Sequence, residues 1–161
     1  MIDAYIGLGS NLENPAEQVK KARLSIAEHP LFNELKFSSL YSSPPMGPQD
    51  QPDYVNAVMS VSTDLSALDM LRILQKIEAD FGRVRKGERW GARILDLDLL
   101  LFANQIINHP DLIVPHVGLS ERAFVLYPLS DIAPEDMAIP GLGTIKQLVS
   151  QCPRNGLEKI F

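Results

Sequence analysis

The run "ILDLDLLLF" at 94–102 constrains this chain more than any other stretch. It is short, apolar apart from two aspartates, and followed by polar residues, so it reads as a strand. Asp is depleted in strands, and a buried carboxylate without a partner is costly. Alternation places Asp96, Asp98, Leu100 and Phe102 on one face and Leu95, Leu97, Leu99 and Leu101 on the other. One face is then apolar throughout, while the other starts acidic and turns apolar. That pattern predicts a sheet edge or end where two carboxylates converge. At about 5 Å and an effective dielectric near 20 they would repel by roughly 3 kcal/mol, which a cation or water has to offset.

The remaining elements alternate in type. "DAYIGLG" (3–9) reads as a first strand ending in glycine. Asn14-Pro15 opens an amphipathic helix that runs to about Glu28, with proline in its first turn. Residues 34–43 predict a second strand, and 54–63 a third with Val55, Ala57, Met59 and Val61 on one side. Ser66 to Phe81 carries Leu68, Leu71, Ile73, Leu74 and Ile77 near helical spacing. With the Asp96 strand the order is β-α-β-β-α-β, an α+β arrangement with helices on one face of an antiparallel sheet. "SERAFVLYPLSDIAP" and "TIKQLVSQ" predict further C-terminal helices. No repeat, low-complexity tract or linker divides the chain, and 161 residues suit one domain over 1–161.

Composition narrows the function classes. A hydrophobic content of 45% with 22% charged residues is ordinary for a globular protein. The net charge of −5 argues against a general nucleic-acid or anionic-membrane binder, though not against a local basic patch. The N-terminal stretch lacks a basic region followed by an apolar one, so no signal peptide is expected. No apolar run approaches the ~20 residues that span a bilayer. Cys152, the single cysteine, excludes an internal disulfide framework, fits a reducing cytoplasm and sits in no Cys/His signature.

Two connections exceed ordinary turns. "SSPPMGPQDQPDY" (42–54) is rich in proline, and "FGRVRKGERWGAR" (81–93) carries Arg83, Arg85, Lys86, Arg89 and Arg93 around the only Trp, Trp90. Long loops in compact domains are usually functional or disordered. Alone, the second would read as a solvated basic loop. It feeds directly into the Asp96 strand, however, which brings several cations to the rim of two carboxylates. Carboxylates with no His or Cys nearby suit oxygen-loving Mg²⁺, which fills its other positions with water and substrate phosphates. Arginines clamp phosphate oxygens through forked hydrogen bonds. The combination predicts Mg-nucleotide chemistry of the phosphoryl-transfer type. A lone D-x-D is a weak signal; behind a basic, Trp-bearing loop it is stronger. Other routes fail: there is no G-x-x-x-x-G-K-[ST], no G-x-S-x-G and no zinc spacing among His29, His109 and His116. "GLGSNL" (7–12) ends in Leu12 where a third glycine would stand, and its glycines read as a tight turn.

"RWGARILDLDLLLF" resembles the signature of the 6-hydroxymethyl-7,8-dihydropterin pyrophosphokinase family. The likeness continues in "YIGLGSN", "PPMGPQDQPDYVNA", "GRVRKGERWGAR" and "VPH....ERAFVLYPL", in order and over nearly the whole chain. The resemblance implies a ferredoxin-like βαββαβ core and transfer of the β,γ-diphosphate of ATP to the pterin hydroxymethyl oxygen, releasing AMP. It implies that Asp96 and Asp98 bind two Mg²⁺ ions and that Arg83 and Arg93 clamp the phosphates. Gln75, Glu78, Arg85, Trp90, Leu99, His116 and Arg122 would serve ATP. Ser43, Pro44, Pro45, Met46, Tyr54, Asn56 and Phe124 would serve the pterin, with Tyr54 and Phe124 sandwiching its ring. Asn56 shares a strand face with Tyr54, and its amide offers both a donor and an acceptor to an amino-oxo edge. The residues alone leave other readings open: core packing for Phe124, a strand-end cap for Tyr54, a helix polar face for Gln75 and Glu78, a loop anchor for Trp90.

One departure stands out. The family commonly reads P-H-P-R-M-x-x-R where this chain has "PHVGLSER" (115–122), so Gly118 replaces an arginine and weaker nucleotide affinity is expected. Asp111 receives no role. Two other classes fit the element order. An RNA-recognition domain would need an aromatic RNP strand and a basic sheet face, and both are missing. A non-catalytic relative would bind pterin or nucleotide without turnover. The partners implied are ATP and the pterin, without nucleic acid or membrane, acting on a monomer.

Overall fold

A computed structural model describes residues 1–12, 14–44, 53–82 and 95–160. The chain begins with β1 (Ile2–Ser10), α1 (Pro15–Ala27), β2 (Asn33–Phe37), β3 (Tyr41–Ser43) and β4 (Tyr54–Thr63). Next come α2 (Ala67–Asp80), β5 (Asp96–Phe102) and a hairpin of β6 (Ile107–His109) and β7 (Leu112–Val114). The last part holds α3 (Ala123–Ile132), β8 (Ala138–Ile139), β9 (Gly143–Thr144), α4 (Ile145–Gln151) and β10 (Glu158–Lys159). Proline in its first turn starts α1. The Ser66 hydroxyl caps α2 by accepting the Asp69 N–H, and Thr144 with Gln147 forms a reciprocal capping box on α4.

The main sheet is antiparallel in the order β10-β3-β4-β1-β5, with β2 also on β4. Counting β2 and β3 as one interrupted strand, this is the order expected of a ferredoxin-like core. Helices cover both faces, not one. Ala4, Ile6 and Leu8 of β1 and Val55, Ala57, Met59 and Val61 of β4 pack with Val19, Ile26, Met70 and Leu74 of α1 and α2. On the reverse face Val58, Leu100 and Leu101 pack with Leu126, Leu129, Ile145 and Leu148 of α3 and α4. The second face is apolar enough at its centre to need its own cover.

Three local readings are corrected. The alternation of β5 breaks: Ile6 faces Leu99 while Tyr5 faces Leu101, so Leu100 is an extra, bulged residue. Beyond it the faces exchange, and Leu100 and Leu101 both join the second core while Phe102 joins the first. The 34–43 strand is two strands. Between them Ser38 bonds Val58 twice, its N–H donating to the Val58 carbonyl and its hydroxyl accepting the Val58 N–H, both at 2.9 Å. A side chain thus replaces one rung of the ladder. Gly7 and Gly9 lie inside β1, paired with Val58 and Asn56, and form no turn.

Sequence reasoning missed the short β6–β7 and β8–β9 hairpins and β10, whose two or three residues carry too little pattern to detect. The β6–β7 turn is tied to α2 by Arg72, which pairs with Asp111 at 2.8 Å. The hydrogen bond and charge of that guanidinium hold the Asp111 carboxyl below its usual range.

Candidate active site

The two central strands build the floor. Gly7 lies opposite Asp98 and Gly9 opposite Asp96 across the β1–β5 ladder. On the other side of β1, Gly9 faces Asn56 of β4. A Cβ on Gly9 would stand 2.8 Å from the Asn56 amide nitrogen, so only glycine leaves that amide its place. The amide is fixed from the other side as well, its Oδ1 accepting from the Ser43 hydroxyl at 3.1 Å in a buried setting. Asn56 is 8% exposed, so its remaining donor is directed, and the pattern suits a flat polar ring.

Above this floor opens a cavity of about 210 Å³, into which Ser43, Pro44, Tyr54, Asn56, Asp96, Asp98, Arg122 and Phe124 all project. The structure thus gathers residues from β3, β4, β5 and the start of α3 at one end of the second sheet face. Burial raises the Tyr54 phenol above its ordinary value, and the nearby Asp96 charge adds to that, so Tyr54 is a neutral ring wall. Phe124 packs partly on the second core and has the Arg122 guanidinium 5.8 Å from its ring centre. Gly7, Gly9, Val58 and Val125 also line the cavity and were not anticipated. For the glycines a signal existed: their spacing of two puts both on the face of the aspartates.

Asp96 and Asp98 share the second face of β5, Asp98 with its side chain 51% exposed. The His116 Nε2 lies 3.8 Å from an Asp98 oxygen, while its buried Nδ1 finds no hydrogen-bond partner among the described residues. No group of three or more His, Cys, Asp or Glu side chains converges among the described residues. Two oxygen ligands on a solvent-facing strand fit a cation that takes its other ligands from water and phosphate.

Glu78 is not on a solvated helix face. It is 6% exposed, and its carboxylate accepts the Leu97 N–H at 2.7 Å, between the two aspartates. Gln75 is exposed on α2, accepting from Arg72 at 3.3 Å. The Leu99 side chain is in the first core, and its main chain pairs with Ile6 on the end strand of the sheet, the residue being buried. Next to it the His116 N–H donates to the Leu100 carbonyl at 3.0 Å. Arg83, Arg85, Trp90, Arg93, Pro45 and Met46 lie outside the described residues.

Fold and site together define a small α+β protein in which a carboxylate pair suited to a phosphate-bound cation adjoins a slot suited to a flat polar ring. The chain belongs to the 7,8-dihydro-6-hydroxymethylpterin-pyrophosphokinase (HPPK) family, which it matches over residues 5–134. It is 49% identical over 160 residues to the 2-amino-4-hydroxy-6-hydroxymethyldihydropteridine pyrophosphokinase of Haemophilus influenzae, covering 99% of each chain. To the Pseudomonas aeruginosa protein of the same name it is 46% identical over 156 residues, covering 97% of this chain and 95% of that one. Among solved structures, wild-type HPPK-DHPS of Plasmodium falciparum superposes with a TM-score of 0.74 at 17% identity, covering 93% of this chain and 44% of that one. An HPPK-DHPS in complex with substrates gives 0.73 at 15% identity, covering 94% of this chain and 45% of that one. These two likenesses concern the fold, and the chain spans under half the length of those proteins.

Proposed function

We infer that this chain transfers the diphosphate of ATP to the hydroxymethyl oxygen of 6-hydroxymethyl-7,8-dihydropterin, releasing AMP, in folate biosynthesis. The observation that carries the reading is the opening of Tyr54, Asn56 and Phe124 onto the same cavity as Asp96 and Asp98. The pterin lies between Tyr54 and Phe124 with its amino-oxo edge on Asn56, which Ser43 orients. Pro44 lines the same cavity, and the family resemblance gives Pro45 and Met46 to the pterin as well. Its hydroxymethyl group then points along the floor toward the aspartates.

Asp96 and Asp98 would hold Mg²⁺, two ions in this reading, which when bound would neutralise phosphate charge and align the triphosphate. Arg83 and Arg93 clamp the phosphates during transfer; Arg85, Trp90, His116 and Arg122 contact ATP as well. Gln75 and the Leu99 main chain serve the nucleotide along the end strand, and Glu78 braces that strand. The hydroxyl oxygen forms a bond to the β-phosphorus as the bond from that phosphorus to the α,β-bridging oxygen breaks. AMP departs with that oxygen, and the hydroxyl proton is released. Catalysis is positioning and charge stabilisation.

We further take residues 1–161 as one domain acting as a monomer in the cytoplasm, a reading supported by one sheet with two covered faces and by the single Cys152. No helix among the described residues is long and apolar enough to cross a membrane. The test is direct: protein, ATP, Mg²⁺ and the pterin are mixed, and AMP is separated from ADP. AMP formed only with pterin and metal supports the reading. ADP would mean that a different bond breaks, and pterin binding without turnover would point to a non-catalytic relative.

A further inference from the structure

We propose that Gly118 is a positioning residue for Arg122, its bare Cα being the surface across which the Arg122 side chain lies to reach the cavity it shares with Asp98 and Phe124. A Cβ at position 118 would stand 2.9 Å from the Arg122 Nε, 3.3 Å from its guanidinium carbon and 3.4 Å from its Cδ. All three contacts are to the outer part of one flexible side chain, and none is to backbone. A side chain at 118 can be accommodated by moving that arm, so its effect falls on where the guanidinium points.

Gly118 sits in the turn between His116 and Arg122, whose backbone is closed by Leu119 N–H to the His116 carbonyl and Glu121 N–H to the Gly118 carbonyl. Its φ of +81° is left-handed, so a substitution has a second, separable effect on the backbone. Arg122 itself is at the N-terminal boundary of α3, where its carbonyl accepts from Val125 and Leu126. With its main chain anchored there, only the side chain is free to move. The guanidinium rests beside the Phe124 ring and lines the cavity. The inference rests on the reading above that Arg122 meets the ATP phosphates. It changes the meaning of the departure at Gly118: a missing side chain makes room for a neighbouring one.

The test is a double-mutant cycle read in equilibrium binding of MgATP, by calorimetry on the full chain, with the unfolding midpoint measured for every variant. Gly118→Ala and Gly118→Asn are each expected to weaken MgATP binding about tenfold, the scale of one charge-assisted hydrogen bond. In an Arg122→Ala background, Gly118→Ala is expected to change the affinity by less than about twofold, because the displaced group is gone. Backbone strain lowers the unfolding midpoint in both backgrounds, and less for Asn, which tolerates the left-handed region. Additive effects on MgATP affinity would overturn the inference, as would Gly118→Asn binding like the unaltered protein. An unaltered protein that binds MgATP but forms no AMP with pterin would overturn the proposed function alone, and the cycle would still decide the role of Gly118. Absence of MgATP binding would overturn both.

Discussion

At the scale of single residues, the site separates function from stability. The Asp98 side chain is half exposed, so Asp98→Asn is expected to leave urea stability nearly unchanged. AMP formation should fall by about 10²-fold or more, because a charge facing the phosphates is lost. Gly9→Ala makes the complementary case. Its backbone is extended, but the new methyl group meets the Asn56 amide, which Ser43 already holds. Pterin affinity should drop about tenfold with ATP affinity unchanged, by separate titrations. Period-two spacing made the pairing of Asp96 with Asp98 legible in the sequence; for Tyr54 and Asn56 it gave only a shared strand face, and their proposed role came from the family resemblance. Gly9 was not legible, because a glycine beside a strand end reads more readily as a turn than as a floor. For Glu78 the structure removes only the alternative of a solvated helix face, since helical periodicity gives the side of a helix and not which strand edge needs an acceptor.

At the scale of elements, α2 packs on β5 through the first core and also holds its backbone with a buried hydrogen bond from Leu97 to Glu78. Removing the Glu78 carboxylate leaves the Leu97 N–H without its partner, so Glu78→Ala should cost about 1–3 kcal/mol in urea unfolding. Glu78→Gln keeps an acceptor and should cost less. Strand β4 was fully legible, its alternation matching the observed cores residue by residue. Strand β5 was legible as far as Leu100, and only Leu101 and Phe102 fall on the faces opposite to those expected. Its bulge at Leu100 lies in an unbroken leucine run, where no change of residue type marks the lost alternation. The break at Ser38 was hidden likewise, because a serine that bonds the neighbouring strand looks like one in a strand.

At the scale of the molecule, the second face is held by α3 and α4, and Asp131 of α3 ties it to the sheet. The Tyr41 hydroxyl donates to the Asp131 carboxylate at 2.9 Å, and burial, that hydrogen bond and the Asp131 charge all raise the phenol well above its ordinary value. The folded state therefore favours neutral Tyr41. Its contribution is fully present below about pH 10, the unfolded value, and is lost as pH rises from there toward the folded one. Unfolding midpoints should accordingly fall on the alkaline side, and Tyr41→Phe should make that fall shallower while lowering the neutral-pH value. Chelation makes a contrasting prediction: EDTA should stop AMP formation but leave the unfolding midpoint in place, since both cores close without the carboxylate pair. The resemblance in the sequence was enough for the family and the sheet, but not for the second helical layer, because amphipathic helices do not state which face they cover. Along β4 the residues facing the proposed substrate alternate with those facing the first core, and β1 and the first half of β5 do the same. Exchange of one amino acid for another alters a single contact in this arrangement. Gain or loss of one codon would turn every following side chain on that strand over, sending cavity walls into hydrocarbon and hydrocarbon into the cavity. These three strands can vary in spelling, but scarcely in length.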